Sequence, residues 1–66
     1  MEIQVNGEKR QWDASITVGD LVGALGLRPG WVVVEKNLRI VPRERMGEEI
    51  LQDGDSLEII RLVGGG

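Results

Sequence analysis

The chain has 66 residues, with eight Lys and Arg against eleven Asp and Glu, a net charge of −3, and neither cysteine nor histidine. A domain of this size buries only about 60% of the surface it exposes when unfolded, which leaves little room for a catalytic cleft beside a core. Disulfides, thiolate metal sites, Cys nucleophiles and His general bases are excluded, and the negative balance argues against a nucleic-acid partner.

The N-terminal stretch Met1-Glu2-Ile3-Gln4 lacks the basic and apolar regions of a signal peptide. No apolar run approaches the roughly 18 residues of a membrane span. A cytoplasmic protein with no membrane partner, monomeric when free, is expected. Ile3 and Val5 alternate with Glu2, Gln4 and Asn6, the period of a half-buried strand. Asn6-Gly7 is a hairpin signal, since both residues tolerate the positive φ of a type I′ turn. The return strand, Glu8 to Trp12, is polar enough for an exposed edge, with Trp12 anchoring it to the core.

Thr17 reads as a helix N-cap with Asp20 three residues on, close to a capping box. Val18, Leu21, Val22 and Leu25 fall on one stripe and predict a helix over 18–25. Gly19 and Gly23 weaken it, so packing must hold it. Gly23 is expected to allow close approach to the sheet. Gly26 suits the C′ position, with Leu27 making the following apolar contact.

Trp31 to Lys36 is a β-branched run and predicts a central strand. Asn37-Leu38 turns it into a short strand, Arg39-Ile40-Val41, which Pro42 ends. Arg43 to Met46 reads as one helical turn, with Met46 and Leu51 under the core. Gln52 to Asp55 is a turn, and Ser56 to Val63 is the last strand. The acidic residues Glu44, Glu48, Glu49, Asp53 and Asp55 match no calcium-loop spacing, and read as charged surface plus a turn.

The order of elements predicts an α+β fold, a β-grasp. Its mixed sheet has four to five strands, with one main helix across one face. The last strand lies centrally, parallel to the first. The body spans residues 1–63, and Gly64, Gly65 and Gly66 form a flexible tail that ends in a carboxylate. In the last strand Leu57 and Ile59 face the helix while Glu58, Ile60 and Leu62 face outward. In the central strand Val32 and Val34 point in and Val33 out. Val33, Ile60 and Leu62 then form an apolar patch that leads to the tail. Arg43 and Arg61 are the cations placed to matter, Arg61 because it precedes the tail.

These stretches resemble the ubiquitin-like sulfur carriers of the ThiS/MoaD family, over essentially the whole chain. The likeness rests on Thr17-Val18-Gly19-Asp20-Leu21-Val22, on Asn37-Leu38-Arg39-Ile40-Val41-Pro42-Arg43-Glu44, on Leu51-Gln52-Asp53-Gly54-Asp55 and on the glycine tail. Asn37-Leu38 departs from the family's common Asn-Gly, and Met46 stands where an aromatic residue is frequent. The Ile-Val-Pro-Arg stretch favours the thiamine branch over the alternatives, the small subunit of molybdopterin synthase or a ubiquitin-like modifier.

The resemblance implies a carrier and not an enzyme, with no bound cofactor. A ThiF-like adenylyltransferase would use ATP and Mg to adenylate the Gly66 carboxylate. A sulfur donor such as a cysteine desulfurase system would supply sulfur for a thiocarboxylate. The carrier would then deliver that sulfur to a ThiG-like thiazole synthase. Val33, Ile60, Arg61 and Leu62 would be gripped by these partners.

Overall fold

A computed structural model describes residues 1–62. Asn6 and Gly7 adopt φ of 50° and 83°, the paired positive values of a type I′ turn. They fold strand β1 (Glu2–Val5) back on strand β2 (Glu8–Gln11). Every residue of β2 is exposed, as its charge requires at an edge. Trp12 lies just past β2, exchanges hydrogen bonds of 2.9 Å with Met1, and packs half-buried against the core.

Helix α1 (Val18–Ala24) starts at a reciprocal cap. The Asp20 amide donates to the Thr17 hydroxyl at 3.0 Å, and the Thr17 amide donates to the Asp20 carboxylate at 3.1 Å. Val18, Leu21 and Val22 are fully buried. The helix stops at Ala24 because Leu25 leaves helical geometry and Gly26 turns to φ +78°. The amides of Gly26 and Leu27 then donate to Gly23 and Val22 at 2.9 and 3.0 Å, the pairing of a Schellman motif.

The glycine that permits close approach is Gly19, not Gly23. A Cβ on Gly23 would meet nothing within 4 Å, whereas one on Gly19 would stand 3.3 Å from the Met46 carbonyl oxygen. Periodicity alone does not reveal which side of a helix meets a loop backbone.

Strand β3 (Val32–Lys36) begins after Trp31, not at it. Pro29–Trp31 is a 3-10 turn, in which the Trp31 amide donates to Arg28 at 2.9 Å, and the fixed φ of Pro29 suits that turn. Strand β4 (Arg39–Val41) returns through Asn37 and Leu38, with φ of 51° and 70°. A second 3-10 turn, Arg43–Arg45, leads to the buried Met46 and then to Leu51, which closes the underside of the core.

Strand β5 (Ser56–Arg61) lies between β1, to which it is parallel, and β3, to which it is antiparallel. The sheet order is β2-β1-β5-β3-β4, a five-stranded β-grasp with α1 across one face. Ile3, Leu21, Leu51 and Leu57 are among the fully buried side chains, each contributing about 1.5–3 kcal/mol by leaving water. Among the described residues β5 ends at Arg61. Leu62 still donates its amide to Trp31 at 2.9 Å, and Val63 lies outside the described residues.

Asp55 is not surface charge. It is only 9% exposed and accepts from the Asn37 side-chain amide at 2.9 Å and the Gln52 amide at 2.8 Å. Lys36 stands 3.9 Å from it and donates to Glu49 at 2.7 Å. A carboxylate in a turn reads as exposed until the long-range donors that bury it are known.

Candidate functional site

β5 is the element that carries the chain toward its glycines, so the contacts that aim β5 define the site. The parallel ladder with β1 ends at Val5 and Leu57. Asn6 extends the hold beyond it. Its side-chain oxygen accepts from the Ile59 amide at 2.7 Å, its side-chain NH2 donates to the Ile59 carbonyl at 3.3 Å, and its own amide donates to Leu57 at 2.9 Å. A residue selected for its positive φ therefore also clamps β5. The Asn-Gly motif signals the turn but not the clamp, which joins residues 53 positions apart.

Leu57 and Ile59 are buried under α1, and Glu58, Ile60 and Leu62 are on the exposed side. Val33 and Ile60 are directly opposed in the β3–β5 ladder, and Ile60 and Leu62 are 50% and 47% exposed. Val33 is half-buried. The structure brings Val33, Ile60 and Leu62 together on the sheet face that α1 leaves open. Ile40 joins this face from β4, opposite Glu35.

Arg61 stands opposite Val32 at the end of β5. Two further arginines converge on the same end of the molecule. Arg28 stacks over the Trp31 ring, 4.8 Å from its centroid. The Arg43 guanidinium packs on Gly30, where a Cβ would stand 3.3 Å from the guanidinium carbon. Sequence reasoning singled out Arg43 and Arg61 but missed Arg28, whose position depends on the turn at Pro29–Trp31. Gly64, Gly65 and Gly66 lie outside the described residues.

Among the described residues no group of three or more His, Cys, Asp or Glu is placed to hold a metal ion, and no helix is long and apolar enough to cross a membrane. The groove beside β4, lined by Lys36, Asn37, Arg39 and Glu49 among others, has its lysine engaged by Glu49 and Asp55.

The central strand parallel to the first, the single helix across one face and the open opposite face define a ubiquitin-like β-grasp protein. A family model described as the ThiS family matches residues 3–66, and the chain belongs to that family. It is 35% identical to the sulfur carrier protein ThiS of Escherichia coli, covering all of both chains. It is 38% identical to the sulfur carrier protein ThiS of Bacillus subtilis, over 97% of this chain and 98% of that one. A thiazole synthase of Paramagnetospirillum magneticum is 46% identical over the whole of this chain, which spans only 20% of that protein. The crystal structure of the thiamine biosynthesis protein ThiS from Geobacter metallireducens superposes with a TM-score of 0.84 at 33% identity, covering all of both chains.

Proposed function

We propose that this chain is a sulfur carrier for thiamine thiazole formation, a protein co-substrate whose working group is the Gly66 α-carboxylate. The observation that carries this reading is the ThiS family match over residues 3–66, which includes core, final strand and glycines alike. The absence of histidine and cysteine agrees with a substrate role, because the usual side-chain bases and thiol nucleophiles are missing.

The chemistry needs little from the carrier. A terminal carboxylate is ionised at neutral pH and needs no local base. It attacks the α-phosphorus of MgATP held by an adenylyltransferase, and pyrophosphate leaves. A donor persulfide attacks the acyl carbon, and AMP leaves. A second donor thiol then cleaves the acyl disulfide, which releases the thiocarboxylate and leaves the donor as a disulfide. The resulting thiocarboxylate passes its sulfur to thiazole synthase. Glycine at 65 and 66 presents no side chain to the narrow channel such a reaction requires. The relatives named thiazole synthase match this whole chain within about a fifth of their own length, which supports thiazole synthase as the acceptor.

Intact mass spectrometry tests the reading. With ATP, adenylyltransferase and sulfur donor, the carrier gains about 16 Da as one oxygen is exchanged for sulfur. An unchanged mass under conditions that charge another ThiS protein rejects it. Extension of the chain past Gly66 abolishes the gain, because the carboxylate no longer meets the phosphorus.

A further inference from the structure

β5 is held differently along its two edges. On the β3 side the hold runs from the Asn37 amide, which donates to Ser56, to the Leu62 amide, which donates to Trp31. In an antiparallel ladder of this register, residues 56, 58, 60 and 62 turn their backbone groups toward β3, and 57, 59 and 61 turn theirs the other way. On that other side the ladder with β1 ends at Leu57, because β1 turns back at Asn6-Gly7. Ile59 therefore has no strand beside it.

The Asn6 side chain stands in for the missing strand. Its oxygen accepts from the Ile59 amide at 2.7 Å and its NH2 donates to the Ile59 carbonyl at 3.3 Å, so one side-chain amide meets both backbone groups as a further peptide of β1 would. This is the last hydrogen-bonded hold on that side among the described residues. Packing adds little beyond it, since Ile59 is buried but Ile60 and Leu62 are half-exposed. The turn alone does not call for asparagine. Asp-Gly and Gly-Gly also serve a type I′ turn, but neither aspartate nor glycine offers an acceptor and a donor together at this position.

We infer that Asn6 is a positioning residue for the Gly66 carboxylate: acting through Ile59, it fixes the direction in which β5 delivers the last four residues to a reacting site. The inference rests on the carrier reading and assigns a role in it to a residue of the opposite chain end. Residues 63–66 span at most about 14 Å when extended. The carboxylate therefore reaches only what the root of the tail points at. Without the clamp, β5 beyond Leu57 is bonded along one edge alone, and the root swings about that edge. A displacement of about 1 Å at the reacting group is enough to lower a rate substantially.

Two substitutions separate the clamp from the turn. Asn6→Gly keeps the turn and removes the clamp. Asn6→Asp keeps the turn and the acceptor, but loses the donor and sets a carboxylate against the Ile59 carbonyl. In adenylation, read by ATP–pyrophosphate exchange, Asn6→Gly lowers kcat about fivefold or more while KM for the carrier stays within about twofold. Asn6→Asp lowers kcat at least about twofold. Amide exchange followed by NMR reads the clamp itself. In Asn6→Gly the Ile59 amide exchanges at least about tenfold faster relative to the Val18 amide, which is bonded to Glu49, whereas a general loss of stability moves both together. Thr17→Ala removes the helix cap and is the control for stability alone. It melts about 4–8 °C below wild type and keeps its kcat.

Wild-type kcat in a folded Asn6→Gly, or in Asn6→Asp where Asn6→Gly does not fold, overturns the inference and leaves the carrier reading intact. A loss confined to KM overturns it too, since Asn6 then acts in docking and not in aiming. So does a fall in kcat that Thr17→Ala reproduces, or an Ile59 amide that keeps its exchange rate relative to Val18. Wild-type carrier that supports no ATP–pyrophosphate exchange by the adenylyltransferase overturns the carrier reading and this inference together.

Discussion

The amide of Gly19 donates to the carbonyl of Met46 at 2.9 Å, and a Cβ on Gly19 would stand 3.3 Å from that same oxygen. The first amides of a helix have no partner within it. Here Val18 and Gly19 spend theirs on the loop beneath the sheet, Val18 bonding Glu49 at 2.8 Å. The loop cannot retreat from a new Cβ without losing the bond to Gly19.

Gly23 and Gly19 therefore respond differently to alanine. Gly23→Ala stabilises the protein by about 0.5–1 kcal/mol, since alanine favours the helix and nothing obstructs it. At Gly19 the same propensity gain is offset by the Met46 contact, and Gly19→Ala falls at or below wild type. Urea denaturation of both variants checks the order.

Leu38 sits at φ +70° and is 91% exposed. A side chain in that region costs about 1–2 kcal/mol, of which glycine returns part through the freedom of the unfolded chain. Leu38→Gly stabilises the fold by about 0.5–1 kcal/mol. A thermal melt that drops on this change contradicts the strain assigned to the turn.

Lys36 is held above its ordinary pKa of 10.5, first by its hydrogen bond to Glu49, against the opposing effect of burial, and then by the charges of Asp55 and Glu49. The folded protein binds this proton more tightly than the unfolded chain does. The stabilisation is complete below pH 10.5 and is lost as pH rises through the folded value. Lys36→Met is less stable than wild type at neutral pH, and the gap narrows above pH 10.5. Denaturation curves at neutral and strongly alkaline pH read that narrowing.

Ile60 lies half-exposed opposite Val33 on the open face. Ile60→Glu places charge in the apolar patch of Val33, Ile60 and Leu62. It costs the fold less than about 1 kcal/mol at a site with this exposure. It weakens adenylation by about tenfold or more through KM. Wild-type adenylation kinetics in Ile60→Glu remove this patch from the docking surface.

Much of the fold was legible because it is written in local chemistry. Asn6-Gly7 names its turn, Thr17 and Asp20 name the helix start, and Gly26-Leu27 name its end. The alternation of Leu57 to Leu62 sorts buried from exposed residues without knowledge of any neighbour. The errors fall where a residue's role depends on something distant. Trp31 continues the β-branched run but belongs to the Pro29 turn. Asp55 has the composition of a surface turn but is buried by Asn37, Gln52 and Lys36.

The sequence by itself determined the β-grasp order, the outward position of Ile60 and Leu62, and the glycines that follow them. These depend on period, turn residues and chain order, which are local. Only the tertiary structure decided that Val33 meets Ile60, that Glu35 meets Glu58, and that Arg28, Arg43 and Arg61 share one end. Strand register and loop packing set these pairings. Register is a relation between segments, and a strand's alternation fixes which face a side chain takes but not which partner it meets there.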